Sequence, residues 1–276
     1  MSFRPDRPPP RVMGIVNVTP DSFSDGGRFL DSDVALAHAR RLVAEGAHIL
    51  DLGAESTRPG ADPVPAGVEI ERLVPLIRAI RAESDVAISV DTMKPEVARA
   101  AVAAGATIWN DVTALRHDPA SLDTAAGLGC EVVLMHMQGE PRTMQAEPRY
   151  DDVVGEVAEF LAERAEAAVA AGVARERIWL DPGVGFGKHM TRHNLPVLAH
   201  LDRIVALGFP VLLGASRKSF IGALDGGAAP DARLGGSIAA ALAGAEAGVA
   251  AVRVHDVAET AQALKVWAAI RQAGGA

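Results

Sequence analysis

The segment from Arg11 to Gly27 reads RVMGIVNVTPDSFSDGG, and the order of its two halves indicates the fold class. The first half, VMGIVNV at 12–18, is a run of apolar and β-branched side chains, which is typical of a buried strand. The second half is rich in turn-forming polar residues and carries one aromatic side chain, Phe23. A buried strand that ends on the amide of Asn17 before such a loop needs an explanation beyond packing.

The same pattern returns along the whole chain. Seven further β-rich runs follow the first, at 48–53, 87–92, 107–111, 130–137, 178–183, 211–216 and 250–257. Alanine-rich stretches of helical periodicity separate them, and several of these end at a glycine, as helix C-termini do: Gly46, Gly105, Gly129, Gly172, Gly208 and Gly248. Eight strand and helix pairs predict the α/β class and a closed (β/α)8 TIM barrel, although an open doubly wound sheet would alternate similarly.

The chain shows no low-complexity linker, so we predict a single barrel domain over 11–276 after a disordered, proline-rich N-terminal arm at 1–10. The formal net charge of -8 argues against a nucleic-acid partner, since phosphate backbones require a basic surface. No signal peptide and no run of 18 apolar residues occur, so we expect a cytoplasmic protein without a membrane partner. The single cysteine, Cys130, excludes an intrachain disulfide and a cysteine-based zinc site.

Polar residues stand at the ends of most predicted strands. Since the carboxyl ends of barrel strands meet at one mouth, where barrel enzymes place their chemistry, these residues are candidates for a site: Asn17, Asp51, Asp91, Asn110, Asp111, His136, Asp181, Ser216 and His255. Buried polar groups without partners cost about 1–3 kcal/mol each, so packing alone explains them poorly. Asp111 and Asp256 fit helix N-caps better, and Asp51 fits either role.

Lysine is rare in this chain, and three of its four copies follow predicted strand ends. Lys218 lies in the polar cluster SRKS at the predicted mouth, which suggests a need for a compact ammonium group. We interpret Lys94 as an ordinary residue at a helix start. The glycine-rich segment DPGVGFGK at 181–188 lacks the spacing of a Walker phosphate loop and indicates only a flexible loop with an exposed backbone.

These segments together resemble one family, the dihydropteroate synthases of folate biosynthesis. The resemblance covers Met13 to Val257 and runs in order through MGIVNVTPDSFSDGG, DLGAESTRPGA, SVDTMKPEVA, WNDV, LMHMQGEPRTMQ, DPGVGFGKH, GASRKSFIG and RVHDV. It implies a (β/α)8 barrel that joins 6-hydroxymethyl-7,8-dihydropterin diphosphate to p-aminobenzoate, with Mg²⁺ as cofactor and pyrophosphate as the second product. One departure is Met93, where a small or polar residue is expected.

The resemblance also implies the roles of individual residues. The pterin would be bound by Asp91, Asn110, Met135, Asp181, Phe186 and Lys218. The diphosphate would be bound by Asn17, Thr57, Arg253 and His255, with Asn17 as the protein ligand of the metal. The aminobenzoate pocket would be lined by Phe23, Thr57, Arg58, Pro59, Phe186, Lys218 and Ser219. The residues expected to carry catalysis are Lys218, Arg58, Arg253 and His255.

Two alternatives share part of this pattern. A methyltetrahydrofolate–corrinoid methyltransferase would have the pterin-reading Asp and Asn residues, but not the segments STRPG and SRKSF. A catalytically silent pterin-binding paralogue would lack some residues of the reacting centre, which are all present in this chain. The resemblance further implies a homodimer, for which the small residues of DARLGGSIAAALAGAEAG (231–248) could form a close-packed face.

Overall fold

The computed structural model describes residues 8–18, 28–56, 62–139, 144 and 147–274, and only the backbone of 28–32. Eight strands alternate with helices along these residues. The strands are β1 (Arg11–Asn17), β2 (Ile49–Gly53), β3 (Ala87–Asp91), β4 (Ile108–Asp111), β5 (Glu131–Met135), β6 (Ile178–Asp181), β7 (Leu212–Leu213) and β8 (Ala251–Val254). Every predicted strand is therefore confirmed, and most of the strands are shorter than the apolar runs that predicted them.

The helices of the described residues cover the outside of the sheet. They are α1 (Arg28–Ala44), α2 (Ala66–Glu83), α3 (Pro95–Ala104), α4 (Ser121–Leu128), α5 (Val153–Ala170), α6 (Asn194–Ala199), α7 (Leu201–Val205), α8 (Ser219–Leu224), α9 (Leu234–Ala247) and α10 (Val257–Gly274). The six glycines predicted at helix ends all have positive φ angles, for example 120° at Gly105. The predicted helix ends are thus confirmed.

All strand pairs are parallel, in the order β6-β5-β4-β3-β2-β1-β8-β7. One isolated parallel bridge between Leu180 and Val211 joins the two end strands. The sheet is therefore a nearly closed (β/α)8 barrel within a single domain, as predicted, rather than an open doubly wound sheet. Domain boundaries stay a prediction, and most of the arm at 1–10 lies outside the described residues.

The interior of the barrel has an apolar floor. We use "floor" for the cluster of inward side chains near the amino ends of the strands: Met13, Ile49, Ile108, Val133, Trp179, Leu212 and Ala251. A larger apolar cluster fills the space between the outer face of the sheet and the helices, with Leu50, Leu52 and Leu76 among its fully buried members. Strands buried on both faces explain why the runs in the sequence are almost continuously apolar.

Candidate active site

The polar residues reach the interior because side chains of a strand alternate between its two faces. On most strands that give a residue to the floor, another inward side chain follows two positions later. Ile49 is thus followed by Asp51, Ile108 by Asn110, and Trp179 by Asp181. The same step leads from Val133 to Met135 and from Ala251 to Arg253. Two such steps lead from Met13 to Asn17 on β1, and from Ala87, which packs against the floor, to Asp91 on β3. We call these residues, together with Lys218 beside Asp181, the mouth.

One guanidinium group joins three strands of the mouth. Arg253 Nε donates to Asp51 Oδ2 at 2.6 Å, and its Nη2 donates to Asp91 Oδ2 at 2.8 Å. Asp51 is fully buried, and its two oxygens also accept long hydrogen bonds from Asn110 Nδ2, at 3.4 and 3.5 Å. The structure therefore assigns Asp51 to the interior of the barrel and not to a helix N-cap.

This network sets the protonation of its members. Burial raises the pKa of Asp91 to about 7, because the opposing charge of Arg253 only partly compensates for the loss of water and Asp51 adds like charge. Burial disfavours the cationic form of Arg253, but its carboxylate partners outweigh this effect and raise its pKa. Arg253 consequently stays charged, whereas burial favours the protonated form of Asp91.

A second group of mouth residues lies around the end of β6. Asp181 Oδ1 accepts a hydrogen bond from Gly183 N at 2.7 Å, and Lys218 Nζ donates to the carbonyl oxygen of Val184. The same ammonium group lies 4.5 Å from the centre of the Phe186 ring, a cation–π contact. Phe186 in turn packs on an apolar cluster that contains Met135. The predicted pterin residues of this side are therefore together in space.

Burial also shifts the pKa of both charged groups here. It raises the pKa of Asp181, which Lys218 and the Gly183 amide oppose. It lowers the pKa of Lys218 to about 8, although Asp181 favours the charged form. Perturbed acid and base pairs of this kind are common at functional sites.

The loop that carries Phe186 is shaped by a lysine that we did not predict to matter. Lys188 is 1 % exposed, and its Nζ lies 3.0 Å from the carbonyl oxygen of Gly183, 3.1 Å from that of Phe186 and 2.8 Å from His136 Nδ1. Gly183 and Gly187 have φ of 64° and 56°, and a Cβ on either would collide with a backbone carbonyl of the β5–α5 connection. The prediction of a flexible loop with an exposed backbone from DPGVGFGK is therefore wrong, because most of this segment is buried and tightly packed.

His136 was a candidate for the mouth, and this expectation was wrong. Since Met135 points inward, the next residue faces the other side of β5. There the His136 ring packs edge-on against Phe160 at 4.9 Å, and burial followed by the charge of Lys188 lowers its pKa to about 3. A period-two reading of the strand would have excluded it.

At the end of β8, His255 is held by Ser216 from the β7–α8 connection. His255 N donates to Ser216 Oγ at 3.2 Å, and the same hydroxyl lies 3.1 Å from His255 Nδ1. The next residues along each segment form an ion pair, in which Arg217 Nε donates to Asp256 Oδ2 at 3.0 Å. Both connections are thereby fixed to each other beside the mouth.

Lys94 is not the ordinary helix-start residue that we expected. Its ammonium group pairs with both Glu55 and Glu69, and Glu69 is fully buried. Glu69 also accepts a hydrogen bond from Thr92 Oγ1 at 3.0 Å. Burial opposes the charge of Lys94, but the two carboxylates outweigh it and raise its pKa. The cluster ties α2 and the residues after β2 to the residues after β3.

Of the two predicted N-cap aspartates, Asp111 serves a loop instead. Asp111 Oδ1 accepts from the amide and the hydroxyl of Thr113, each at 2.7 Å, and Oδ2 accepts from Leu115 N at 2.9 Å. It therefore caps the turn after β4, well before α4 begins. Asp256 does precede α10 directly, but its described partner is Arg217.

The remaining predicted residues fall into two groups. Asn17 and Ser219 are exposed, at the end of β1 and at the start of α8. The predicted aminobenzoate residues of the two loops lie outside the described residues: Phe23, Thr57, Arg58 and Pro59.

The amide oxygen of Asn17 is the type of hard donor that Mg²⁺ prefers. This amide offers one such oxygen at the barrel mouth, where Mg²⁺ could keep several waters and share phosphate oxygens. Within the described ranges, no group of three or more His, Cys, Asp and Glu side chains is arranged to hold a metal. A metal site made by the protein alone is accordingly not found in that part of the chain.

Comparison with known proteins shows which family shares this arrangement. The sequence model of the pterin binding enzymes matches residues 13–255. The chain belongs to the pterin-binding enzyme family. Relatives include the dihydropteroate synthases of Escherichia coli (strain K12), 48% identical over 257 residues that cover 93% of this chain and 90% of the relative, and of Neisseria meningitidis serogroup B, 50% identical with 95% and 93% covered.

Solved structures of this family have the same fold. The dihydropteroate synthase of Xanthomonas albilineans with 4-aminobenzoic acid superposes with a TM-score of 0.90 at 54% identity, covering 97% of this chain and 94% of that one. The Yersinia pestis dihydropteroate synthase with a sulfonamide drug complex gives 0.90 at 45% identity, covering 98% and 97%. Among the described residues of the present chain, no helix has the length and apolar character needed to cross a membrane.

Proposed function

We propose that this barrel is a dihydropteroate synthase, which condenses 6-hydroxymethyl-7,8-dihydropterin diphosphate with p-aminobenzoate to give 7,8-dihydropteroate and pyrophosphate. The observation that carries the proposal is the mouth itself, where Asp91, Asn110 and Asp181 converge with two cations, Lys218 and Arg253. Such a set can read an edge of adjacent donors and acceptors and also neutralise a diphosphate. The family membership of the chain supports this assignment.

The pterin would be read by paired hydrogen bonds. The carboxylates of Asp91 and Asp181 accept from ring and amino N–H groups, and the Asn110 amide can donate and accept. Lys218, beside Asp181 and over the Phe186 ring, would donate to the pterin carbonyl or ring nitrogen. Met135 and Phe186 would pack against the ring. A ligand without these polar groups would leave buried partners unpaired and would bind poorly.

The diphosphate would be bound by Arg253, His255 and Asn17. Two of the five Arg253 N–H donors are engaged by carboxylates, so the two on Nη1 and the second one on Nη2 remain for phosphate oxygens. If the Ser216 hydroxyl, which accepts from His255 N, donates its own proton to Nδ1, then Nε2 carries the ring proton and would donate to the same group. A Mg²⁺ ion bound through the Asn17 amide oxygen and phosphate oxygens would neutralise the charge of the leaving group.

The reaction would be a displacement at the exocyclic methylene of the pterin. The bond between this carbon and the diphosphate oxygen breaks, and its electron pair leaves with pyrophosphate. The aryl amine nitrogen of p-aminobenzoate forms the new bond to the carbon and then loses one proton to solvent. Because the aryl amine is already nucleophilic, positioning and electrostatic stabilisation of the leaving group suffice without a strong general base.

The aminobenzoate would bind beside Phe186, Lys218 and the start of α8 at Ser219. Its other predicted neighbours, Phe23, Thr57, Arg58 and Pro59, are carried by the two segments outside the described residues. We propose that sulfonamides compete with aminobenzoate at this site. Competitive inhibition that is relieved by added p-aminobenzoate is the expected result, and no effect on product formation would contradict it.

Pyrophosphate release with the dihydropterin diphosphate tests the whole assignment. We expect release that requires both p-aminobenzoate and Mg²⁺, that stops in EDTA and that yields dihydropteroate. Pterin binding without turnover would instead identify the silent paralogue. Methyl transfer from methyltetrahydrofolate to a corrinoid would identify the methyltransferase, and failure to bind any pterin would contradict all three assignments.

We further propose that the protein acts as a homodimer. The proposal is supported by the small residues along one helix, α9, which would allow a close approach of two copies. The exposed apolar side chain of Leu224 lies nearby in sequence, at the end of α8. Light scattering after size-exclusion chromatography would test it, with the mass of one 28.7 kDa chain as the contradicting result.

A further inference from the structure

We propose that Asp51 is the positioning residue of the mouth: its buried carboxylate orients the Asn110 amide and the Arg253 guanidinium toward the pterin and its diphosphate. This inference rests on the proposed function, because it concerns how the same site recognises its substrate. Asp51 would touch neither reacting atom. Its role follows from its two described partners and from its complete burial.

The first step concerns Asn110. A side-chain amide has an oxygen on one side and an NH₂ group on the other, and either can face a ligand. The two oxygens of Asp51 lie on the Nδ2 side of Asn110, at 3.4 and 3.5 Å. The reverse orientation would place the amide oxygen against a buried carboxylate, which is electrostatically unfavourable in a site of low dielectric constant. Asp51 therefore leaves the Asn110 oxygen as the group that faces away from it, ready to accept from an N–H of the ligand.

The second step concerns Arg253. Its side chain has five N–H donors on a planar fork, so fixing one nitrogen fixes the directions of the others. The 2.6 Å bond from Nε to Asp51 fixes the fork from below, and the 2.8 Å bond from Nη2 to Asp91 fixes it from the side. Because Asp51 is fully buried whereas the Asp91 side chain is 14% exposed, Asp51 is the partner that a ligand cannot displace.

The third step concerns the choice of residue. A buried carboxylate is expensive unless it is paired, and a neutral side chain could fill this position of the barrel more cheaply. The preceding inward positions of β2 and β4 are filled by Ile49 and Ile108. The carboxylate of Asp51 holds Asn110 and Arg253 at once, which explains why a charged residue occurs directly above this apolar floor.

An exchange of the two partners tests the inference. The variants are Asp51→Asn, Asn110→Asp and the double exchange, with Asp111→Asn as a matched control. Asp111 is equally buried on the outer face of β4, where it caps a turn and has no described hydrogen bond or ion pair with a mouth residue; only its charge acts on the mouth, by adding to the rise in the pKa of Asp91. The measurements are binding of the dihydropterin diphosphate by calorimetry in Mg²⁺, kcat and both KM values, and the thermal midpoint.

We expect each single exchange to weaken pterin binding by about 10- to 100-fold, because charged hydrogen bonds are lost or two carboxylates oppose each other. The KM for p-aminobenzoate should change by less than about twofold, since its proposed described neighbours, Phe186, Lys218 and Ser219, are not among the hydrogen-bond partners of Asp51. The double exchange should bind the dihydropterin diphosphate at least about tenfold more tightly than Asn110→Asp does, because an amide and a carboxylate face each other again. Asp111→Asn should lower the thermal midpoint and leave pterin binding intact.

Two results would overturn the inference. In the first, Asp51→Asn lowers the thermal midpoint as the control does but leaves pterin binding unchanged, which would make Asp51 merely structural. In the second, the double exchange binds the dihydropterin diphosphate no more tightly than whichever single variant binds it more weakly. Failure of the proposed function is seen separately, because the unsubstituted protein would then neither bind nor turn over the dihydropterin diphosphate.

Discussion

The floor and the mouth of the barrel are built by the same strands, two residues apart, and their chemistry is opposite. At the floor, Ile49, Ile108 and Trp179 fill the interior with apolar volume. At the mouth, Asp51, Asn110 and Asp181 follow them on the same faces of the same strands. Apolar packing is favourable wherever it occurs, whereas the buried polar groups need partners. The comparison indicates that the floor holds the barrel together and that the mouth is retained for binding.

The largest expected effect is at the mouth. Lys218→Met should reduce kcat/KM for the dihydropterin diphosphate by about 10²- to 10³-fold, because a charged donor aimed at the substrate is lost. Burial lowers the pKa of Lys218, so charging it opposes folding at neutral pH, and the variant should melt at the same temperature or higher. Steady-state kinetics and a thermal melt check both statements. A lower melting temperature with intact kcat/KM would contradict this prediction, because Lys218 would then contribute to stability and not to binding.

A buried charge outside the barrel provides a sharper case. Lys94→Met should destabilise the protein by about 3–5 kcal/mol, since it leaves the fully buried Glu69 without its cation. Urea unfolding measures the change. Adding Glu69→Gln to the variant should recover part of the loss, because the uncompensated charge is then removed. If the double variant were less stable than Lys94→Met alone, the ion pair would not be the cause.

At the floor, Ile108→Ala should cost about 2–5 kcal/mol of unfolding free energy, through lost burial and the cavity left behind. Asn110 lies two residues further along the same strand, so this variant tests whether the layers are separable. We expect kcat/KM at 25 °C to change by less than about threefold, because the loss of packing at Ile108 should hardly displace Asn110 on a rigid barrel strand. A loss of pterin binding without unfolding would show that the floor positions the mouth.

The smallest expected effect is the response of the mouth to pH. Lys218 has its pKa lowered to about 8, so raising the pH from 8 to 9 should reduce kcat/KM for the pterin substrate roughly fivefold as the cation is lost. Lys218→Arg keeps its charge in this range and should remove the decline, at a lower absolute rate. An unchanged decline in this variant would assign it to another group. The floor, which has no titrating group among its seven members, contributes nothing to the profile.

Much of this arrangement could be predicted from the sequence, because its signals are local. Apolar runs separated by helical stretches fixed the strands to within a few residues, and glycines marked the helix ends. Polar residues at strand ends, such as Asp91, Asn110 and Asp181, were correctly expected to gather. Strict alternation along each strand would have gone further, placing Asp51 inside and His136 outside.

The rest depended on partners that are distant along the chain. Nothing near Lys94 in the sequence indicates its pairing with Glu69, which comes from the preceding helix. Lys188 likewise looks like a loop residue until Gly183 and His136 are brought against it by the packing of two connections. The protonation of Asp91 and Lys218 follows from burial, which a sequence pattern does not quantify.

The barrel has one narrow closure, between β6 and the two-residue strand β7, where a single bridge joins Leu180 to Val211. Asp181 ends one side of this closure and Lys218 follows the other. A pterin bound to both residues would connect the end of β6 to the segment after β7 and so reinforce this closure. Binding would then suppress local opening at this seam, and backbone amides of β6 and β7 would exchange their hydrogens more slowly with substrate present than those of β2 and β3.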